Sequence, residues 1–214
     1  VRRLFGPWEP QVAGAYRAAF IDLADWLRVI GQWAPDARNI LEVGCGEGAV
    51  TERLRDLYPR AQITAIDVTP RLGRLFRGER ERVRFRQAPV QEIAAGQPGA
   101  FDLVILSDVL HHVPLELRDS ILAAIGQALA PGGIFAFKDW ARDQSPIHWA
   151  CEASDRVLTG DDVSYLTAAD MRALLTTHFG PGALRQERRV RPWGNNLAIL
   201  VSRAGAASGA PPPS

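Results

Sequence analysis

Lysine is almost missing from this 214-residue chain: Lys138 is the only one, and arginine carries the rest of the positive charge. Cysteine is nearly as scarce. Cys45 and Cys151 are the only two; they cannot build a disulfide framework and lack metal-ligand spacing, which predicts a reduced intracellular protein without a metal. No apolar run reaches the ~18 residues needed to span a bilayer. Val1–Glu9 lacks the apolar core of a signal peptide, so a cytoplasmic protein with no membrane partner is expected. A formal net charge of +1 gives no global attraction to nucleic acid. The arginine run over residues 71–86 is interleaved only with Phe76 and Phe85, which reads as a solvated surface rather than a base-stacking platform.

What is present is a 47% hydrophobic sequence that alternates strand-like and helix-like segments, the pattern of a mostly parallel sheet covered on both faces. Val12–Trp33 places Tyr16, Phe20, Leu23, Leu27 and Ile30 at helical spacing. Strands are predicted at Asn39–Val43, Gln62–Ile66, Val83–Gln87, Phe101–Ser107 and Ile134–Lys138. Helices are predicted at Ala49–Tyr58, from Pro70 to Arg77, at Leu115–Leu129 and at Ala168–His178, with Pro131-Gly132-Gly133 closing the third of these. Two final strands, Leu184–Arg191 and Leu197–Ser202, joined through Trp193-Gly194-Asn195-Asn196, form an antiparallel pair at one edge of the sheet. The domain reading is an N-terminal helical segment over 1–38 that covers the site and a core over 39–203. Residues 139–166 are a lid or substrate insertion, and 204–214 a small-residue, proline-rich disordered tail.

The segment Leu41-Glu42-Val43-Gly44-Cys45-Gly46-Glu47-Gly48 sits where the first strand gives way to the first following helix. Glycines there let the backbone turn sharply and let a ligand approach without meeting a Cβ. About 20 residues on, Asp67 ends the second strand, where an acid accepts both hydroxyls of a ribose. Gly44, Gly46 and Ala49 also satisfy the dinucleotide fingerprint. Glu42 and Glu47 argue against a pyrophosphate, with no lysine or arginine in the loop to compensate, and suit a cationic sulfonium ligand carrying a free ammonium group.

The loop LEVGCGEG resembles the first motif of class I S-adenosylmethionine-dependent methyltransferases, and Asp67 matches their ribose-binding acid. The stretch from Phe101 to Val113 resembles the family's fourth-strand motif, and Leu129-Ala130-Pro131-Gly132-Gly133 its turn before the fifth strand. The resemblance runs from Ile40 to Lys138 in order and spacing. It implies a three-layer α/β/α Rossmann-like sandwich with a seven-stranded, mostly parallel sheet and an antiparallel edge strand. It also implies S-adenosyl-L-methionine as cofactor, S-adenosyl-L-homocysteine as product, and a small metabolite methylated on O, N or C. Gly44, Gly46 and Gly48 would surround the methionine portion, with Glu42 and Cys45 beside them; Cys45 is a packing residue. Asp67 would hold the ribose and Val68 pack on the adenine. Gln87, Ala88, Pro89 and Val90 stand where many members carry an adenine-binding acid, with Pro89 in its place, so backbone groups or Gln87 would have to serve. Ser107, Asp108 and His112 would line the cleft near the sulfonium.

Candidate proton acceptors are His112, Asp139 and His148, because a base is needed wherever the acceptor must lose a proton. Trp8, Tyr16, His111, Trp140, Trp149 and Tyr165 are candidate acceptor-binding residues, His111 having the alternative role of a helix cap or packing residue in the turn after the fourth strand. A monomer or homodimer is expected, with a small molecule as its partner. A donor-binding enzyme that runs another reaction, such as a cyclisation, and a non-catalytic scaffold subunit are the alternatives.

Overall fold

The computed structural model describes residues 22–158 and 163–202. Within them the chain runs α1 (Leu23–Trp33), β1 (Asn39–Val43), α2 (Ala49–Leu57), β2 (Gln62–Asp67), β3 (Val83–Gln87), α3 (Val90–Gly96) and β4 (Phe101–Ser107). A 3₁₀ turn, Leu110–His112, leads to α4 (Leu115–Ala128), β5 (Leu129–Trp140), α5 (Pro146–Leu158), α6 (Ala168–Phe179), β6 (Leu184–Arg189) and β7 (Asn196–Ser202). The strands form one sheet in the order β3-β2-β1-β4-β5-β7-β6. β7 runs antiparallel to both neighbours, while β3, β2, β1, β4 and β5 are parallel. This is the expected three-layer architecture, with the β6–β7 pair at the predicted edge.

Strand alternation sends successive side chains to opposite layers. Leu41, Val43, Val104, Leu106, Phe135 and Phe137 pack under α3, α4 and α6, against Ile93, Leu122, Ile125, Met171 and Leu175. Ile40, Ile63, Leu103, Ile105 and Ala136 face the other way, onto Trp26, Ile30 and Trp33 of α1 and Leu54 of α2. Burying each such Leu, Ile or Phe contributes roughly 1.5–3 kcal/mol. Both faces of the central strands are therefore core, which leaves their ends as the place for polar groups to gather.

Three expectations need correction. Asp22 is extended, and its side chain accepts the Asp25 N–H, so the first described helix starts at Leu23 rather than running through from Val12. Residues 70–75 form turns, not a helix. Gly73 there has φ +64, and Gly73 and Leu75 donate their N–H groups to the carbonyls of Gly46 and Glu47 instead of to a helical ladder. Pro131–Gly133 does not close a helix: β5 already begins at Leu129, opposite Phe101. The register then jumps to Leu103 opposite Ile134, so these residues form a bulge inside the strand. As a result Asp139 and Trp140 belong to β5, not to the connection after it. α3 was not predicted; seven residues are too short for a clear helical period. Residues 1–21, 159–162 and 203–214 lie outside the described residues, and with them Trp8, Tyr16 and the tail assignment.

Candidate active site

The parallel register brings the chemistry to one rim. Asp67 pairs with Gln87, Val43 lies beside Ile66 and Leu106, and Ser107 pairs with Lys138. The carboxyl ends of β3, β2, β1, β4 and β5 therefore present Gln87, Asp67, Gly44, Ser107 and Asp139 in spatial order, although these residues are scattered over half the sequence.

The loop after β1 is held down by the Gly44 and Cys45 N–H groups, both donating to the Ile66 carbonyl. Gly44 has φ +77, and a Cβ there would sit 2.3 Å from Val109 Cγ2; the turn excludes any other residue. Above Gly46 the space is open, with no heavy atom within 4 Å of where its Cβ would be. Asp67, half-buried, accepts the Gly46 N–H at 2.8 Å and the Thr69 N–H at 2.9 Å, one on each oxygen. Each carboxylate oxygen retains a second lone-pair direction. An anchored carboxylate beside an open glycine turn fits a ribose diol and the extended chain attached to it. Of the other cofactor-side candidates, Val68 is 69% exposed. Gln87 donates to the Val68 carbonyl, Ala88 and Val90 are buried, and Pro89 precedes α3.

The acids in this loop are more compensated than the sequence suggests. Glu42 is buried and accepts the Thr51 hydroxyl at 2.6 Å. Burial raises its pKa to about 7, the Thr51 hydrogen bond lowers it and the Asp67 charge adds to the rise. Glu47 pairs with Arg74, which the turn at 70–75 brings in. Asp67 is the charge that the structure leaves facing the open turn. Cys45 is buried, and burial with the Glu42 and Asp67 charges raises its thiol pKa, so a thiolate is disfavoured.

A second polar cluster, which holds several of the predicted acceptor-side residues, is built at the ends of β4 and β5. His111 Nδ1 lies 2.5 Å from Asp139 Oδ1, and the His111 backbone N–H donates to Asp139 Oδ2. Trp140 N–H also donates to this carboxylate. Burial works to raise the Asp139 pKa, but the His111 ring, the Trp140 N–H and the Lys138 charge hold it below the usual 3.8. An ionised Asp139 only accepts, so the neutral His111 ring carries its proton on Nδ1 and its lone pair on Nε2. Tyr165 stacks on the ring, with centroids 4.8 Å apart and planes 16° apart; the His112 ring lies 4.1 Å away on centroids. Asp108, at φ 56, engages Lys138 Nζ with both oxygens, at 2.5 and 2.6 Å. Lys138 is fully buried.

The remaining candidates are placed differently from one another. His148 is buried and its Nδ1 accepts the Trp140 indole N–H at 3.0 Å, while Nε2 faces Glu152 at 3.7 Å. An indole can only donate, so the lone pair of neutral His148 is already engaged, which removes it as a base. Burial lowers its pKa, against Glu152 and Asp143. Trp140, Cys151, Val163 and Tyr165 form a small separate core, so Trp140 is a packing residue. Trp149 is 61% exposed on α5. Sequence reasoning favoured His112 over His111 and passed over Lys138 and Arg118. The readable signal was alternation: Asp139 shares the sheet face of Phe135 and Phe137, which turns its carboxylate to the side where the turn after β4 returns.

Residues 41–135 match the profile of a family described as a methyltransferase domain. Over 103 residues the chain is 41% identical to a ubiquinone biosynthesis O-methyltransferase of Xanthomonas campestris pv. campestris, a match covering 46% of this chain and 41% of that protein. The chain thus spans about two fifths of the length of the curated relatives it matches. Among solved structures it resembles 1,6-didemethyltoxoflavin-N1-methyltransferase of Burkholderia thailandensis, solved with its substrate and S-adenosylhomocysteine. That likeness has TM-score 0.67 and 20% identity over 91% of this chain and 86% of that one. It also resembles N-methyltransferase NodS of Bradyrhizobium japonicum WM9 in complex with S-adenosyl-L-homocysteine, at TM-score 0.63 and 21% identity over 86% and 89%.

Proposed function

We propose that this chain is an S-adenosyl-L-methionine-dependent methyltransferase acting on a small molecule; residues 41–135 match a methyltransferase-domain profile, and the sheet has the strand order of the class I, Rossmann-like fold. The observation that carries the reading is Asp67. Its carboxylate is pinned by Gly46 and Thr69 N–H groups at the edge of an open glycine turn. Asp67 would accept the ribose hydroxyls, the Gly44–Gly48 turn would pass the amino-acid chain, and Ser107 would border the reacting end. When bound, the cofactor would supply an electrophilic methyl carbon on sulfur, open to in-line attack by an acceptor lone pair as the carbon–sulfur bond breaks and S-adenosyl-L-homocysteine leaves.

This chain's own residues then have two tasks. The first is alignment, which in favourable cases contributes about 7–11 kcal/mol. The second is proton removal. His111, oriented through Nδ1 by Asp139, would take the proton on Nε2, an effect typically worth roughly 10²–10⁴-fold. Where His111 takes the proton, the acceptor is a hydroxyl, or an amine bearing a proton, rather than a tertiary nitrogen.

Calorimetry with S-adenosyl-L-homocysteine tests the cofactor site, with dissociation constants in the micromolar range expected. Mass spectrometry of hydroxylated aromatic compounds incubated with enzyme and donor should show a gain of one methyl. Absence of binding would point to a scaffold subunit, and binding without methyl gain to another reaction of the same fold.

A further inference from the structure

Arg118 is the one arginine among the described residues that is almost wholly buried, at 2% exposure. It sits in the first turns of α4, just after the turn that carries His111. Its Nε donates to the Val113 carbonyl at 2.9 Å and its Nη2 to the Ser164 carbonyl at 2.7 Å. Ser164 in turn donates its N–H to the His111 carbonyl at 2.8 Å. The guanidinium thus ties the 3₁₀ turn carrying His111 to the segment carrying Tyr165, whose ring stacks on His111. Its third arm, Nη1, is buried and has no acceptor among the described residues. Leaving such a donor unpaired costs about 1–3 kcal/mol, which a link between two carbonyls does not require. The placement also brings a cation within the field of the buried Asp139 carboxylate: burial lowers the arginine's pKa and the Asp139 charge raises it.

We propose that Arg118 is a positioning residue of the site, which supplies the cation that balances the buried His111–Asp139 pair and holds the His111 turn under Tyr165. The proposal rests on the methyltransferase reading for its kinetic consequence but not for its electrostatic one. Among the described residues, the titratable and charged groups around the pair are Arg118 from α4, on which the Asp139 charge acts, Lys138 from β5 (itself engaged by Asp108), the His112 ring from the same turn and the Tyr165 ring from the returning segment, with His148 edge-on to Tyr165. Removing the Arg118 charge leaves Asp139 less compensated, which favours the protonated His111 ring and reduces the fraction able to accept a proton near neutrality.

The test compares Arg118→Gln, which removes the charge, with Arg118→Lys, which keeps it while giving up the two-armed link. The chain has four histidines, so the His111 imidazole can be assigned by substitution and titrated by NMR without donor or acceptor. In Arg118→Gln its midpoint should rise by about one pH unit, and the acid limb of kcat/KM should rise with it. In Arg118→Lys both should stay within about 0.3 unit of the parent, on the same principle. A folded Arg118→Gln protein with an unmoved His111 midpoint overturns the proposal. If that variant does not fold, Arg118→Lys decides alone: a midpoint displaced by about a unit despite the retained cation would refute it. An imidazole shift in a protein that methylates nothing would sink the functional reading and leave Arg118's role standing.

Discussion

Replacing Glu42 by glutamine should stabilise the protein at pH 8 and do so by only about a quarter as much at pH 5. Glu42 is buried on β1, where loss of water, with the Asp67 charge adding, raises its pKa from 4.5 to about 7 against the Thr51 hydrogen bond. Between these values the unfolded chain has released the proton and the folded chain still holds it. Stability therefore falls as pH rises through that window, is unaffected by this group below 4.5, and levels off above about 7. At 1.36 kcal/mol per pH unit the gap corresponds to about 3 kcal/mol. Glutamine matches the neutral carboxyl in shape and keeps an oxygen for the Thr51 hydroxyl, so it should escape the penalty. Urea unfolding followed by circular dichroism at pH 5 and pH 8 measures this directly. For a chain of this size a gain of about 3 kcal/mol appears as a Tm higher by roughly 6–12 °C at pH 8. Other groups titrate too, but they do so in both proteins. The same stability difference at both pH values would refute the reasoning.

Asp67→Ala should weaken S-adenosyl-L-homocysteine binding by about 100-fold, the value of two charge-assisted hydrogen bonds at roughly 1.4 kcal/mol each; calorimetry showing less than a threefold change in a folded variant would remove Asp67 from the site. Asp139→Asn should lower kcat/KM by about 10²–10⁴-fold through loss of the His111 orientation and charge, while calorimetry shows cofactor-product affinity unchanged. Thr167→Ala should cost about 1 kcal/mol in denaturant unfolding. The Thr167 hydroxyl caps the Asp170 N–H at 3.1 Å, and Asp170 answers with bonds to the Thr167 N–H and hydroxyl.

The glycine turn and Asp67 were legible because their signal is local. They stand at the ends of successive parallel strands, and strand period with glycine placement is visible along the chain. The His111–Asp139 cluster was not. Whether His111 or His112 meets Asp139 depends on the 3₁₀ turn and on β5 running on to Trp140, and the bulge at residues 130–133 disguised that strand's true extent. His148 looked like a base because nothing in its neighbourhood shows that the Trp140 indole would occupy its lone pair.

Order, spacing and alternation of apolar residues determined the layers, the parallel sheet and the rim on which the polar residues of the candidate site gather, since the central strands are buried on both faces. Only the tertiary structure decided which charges meet. Lys138 engages Asp108 across 30 residues and Arg74 engages Glu47 across 27. Electrostatic partnership is set by distance through space in a low-dielectric interior, a quantity the linear chain does not contain.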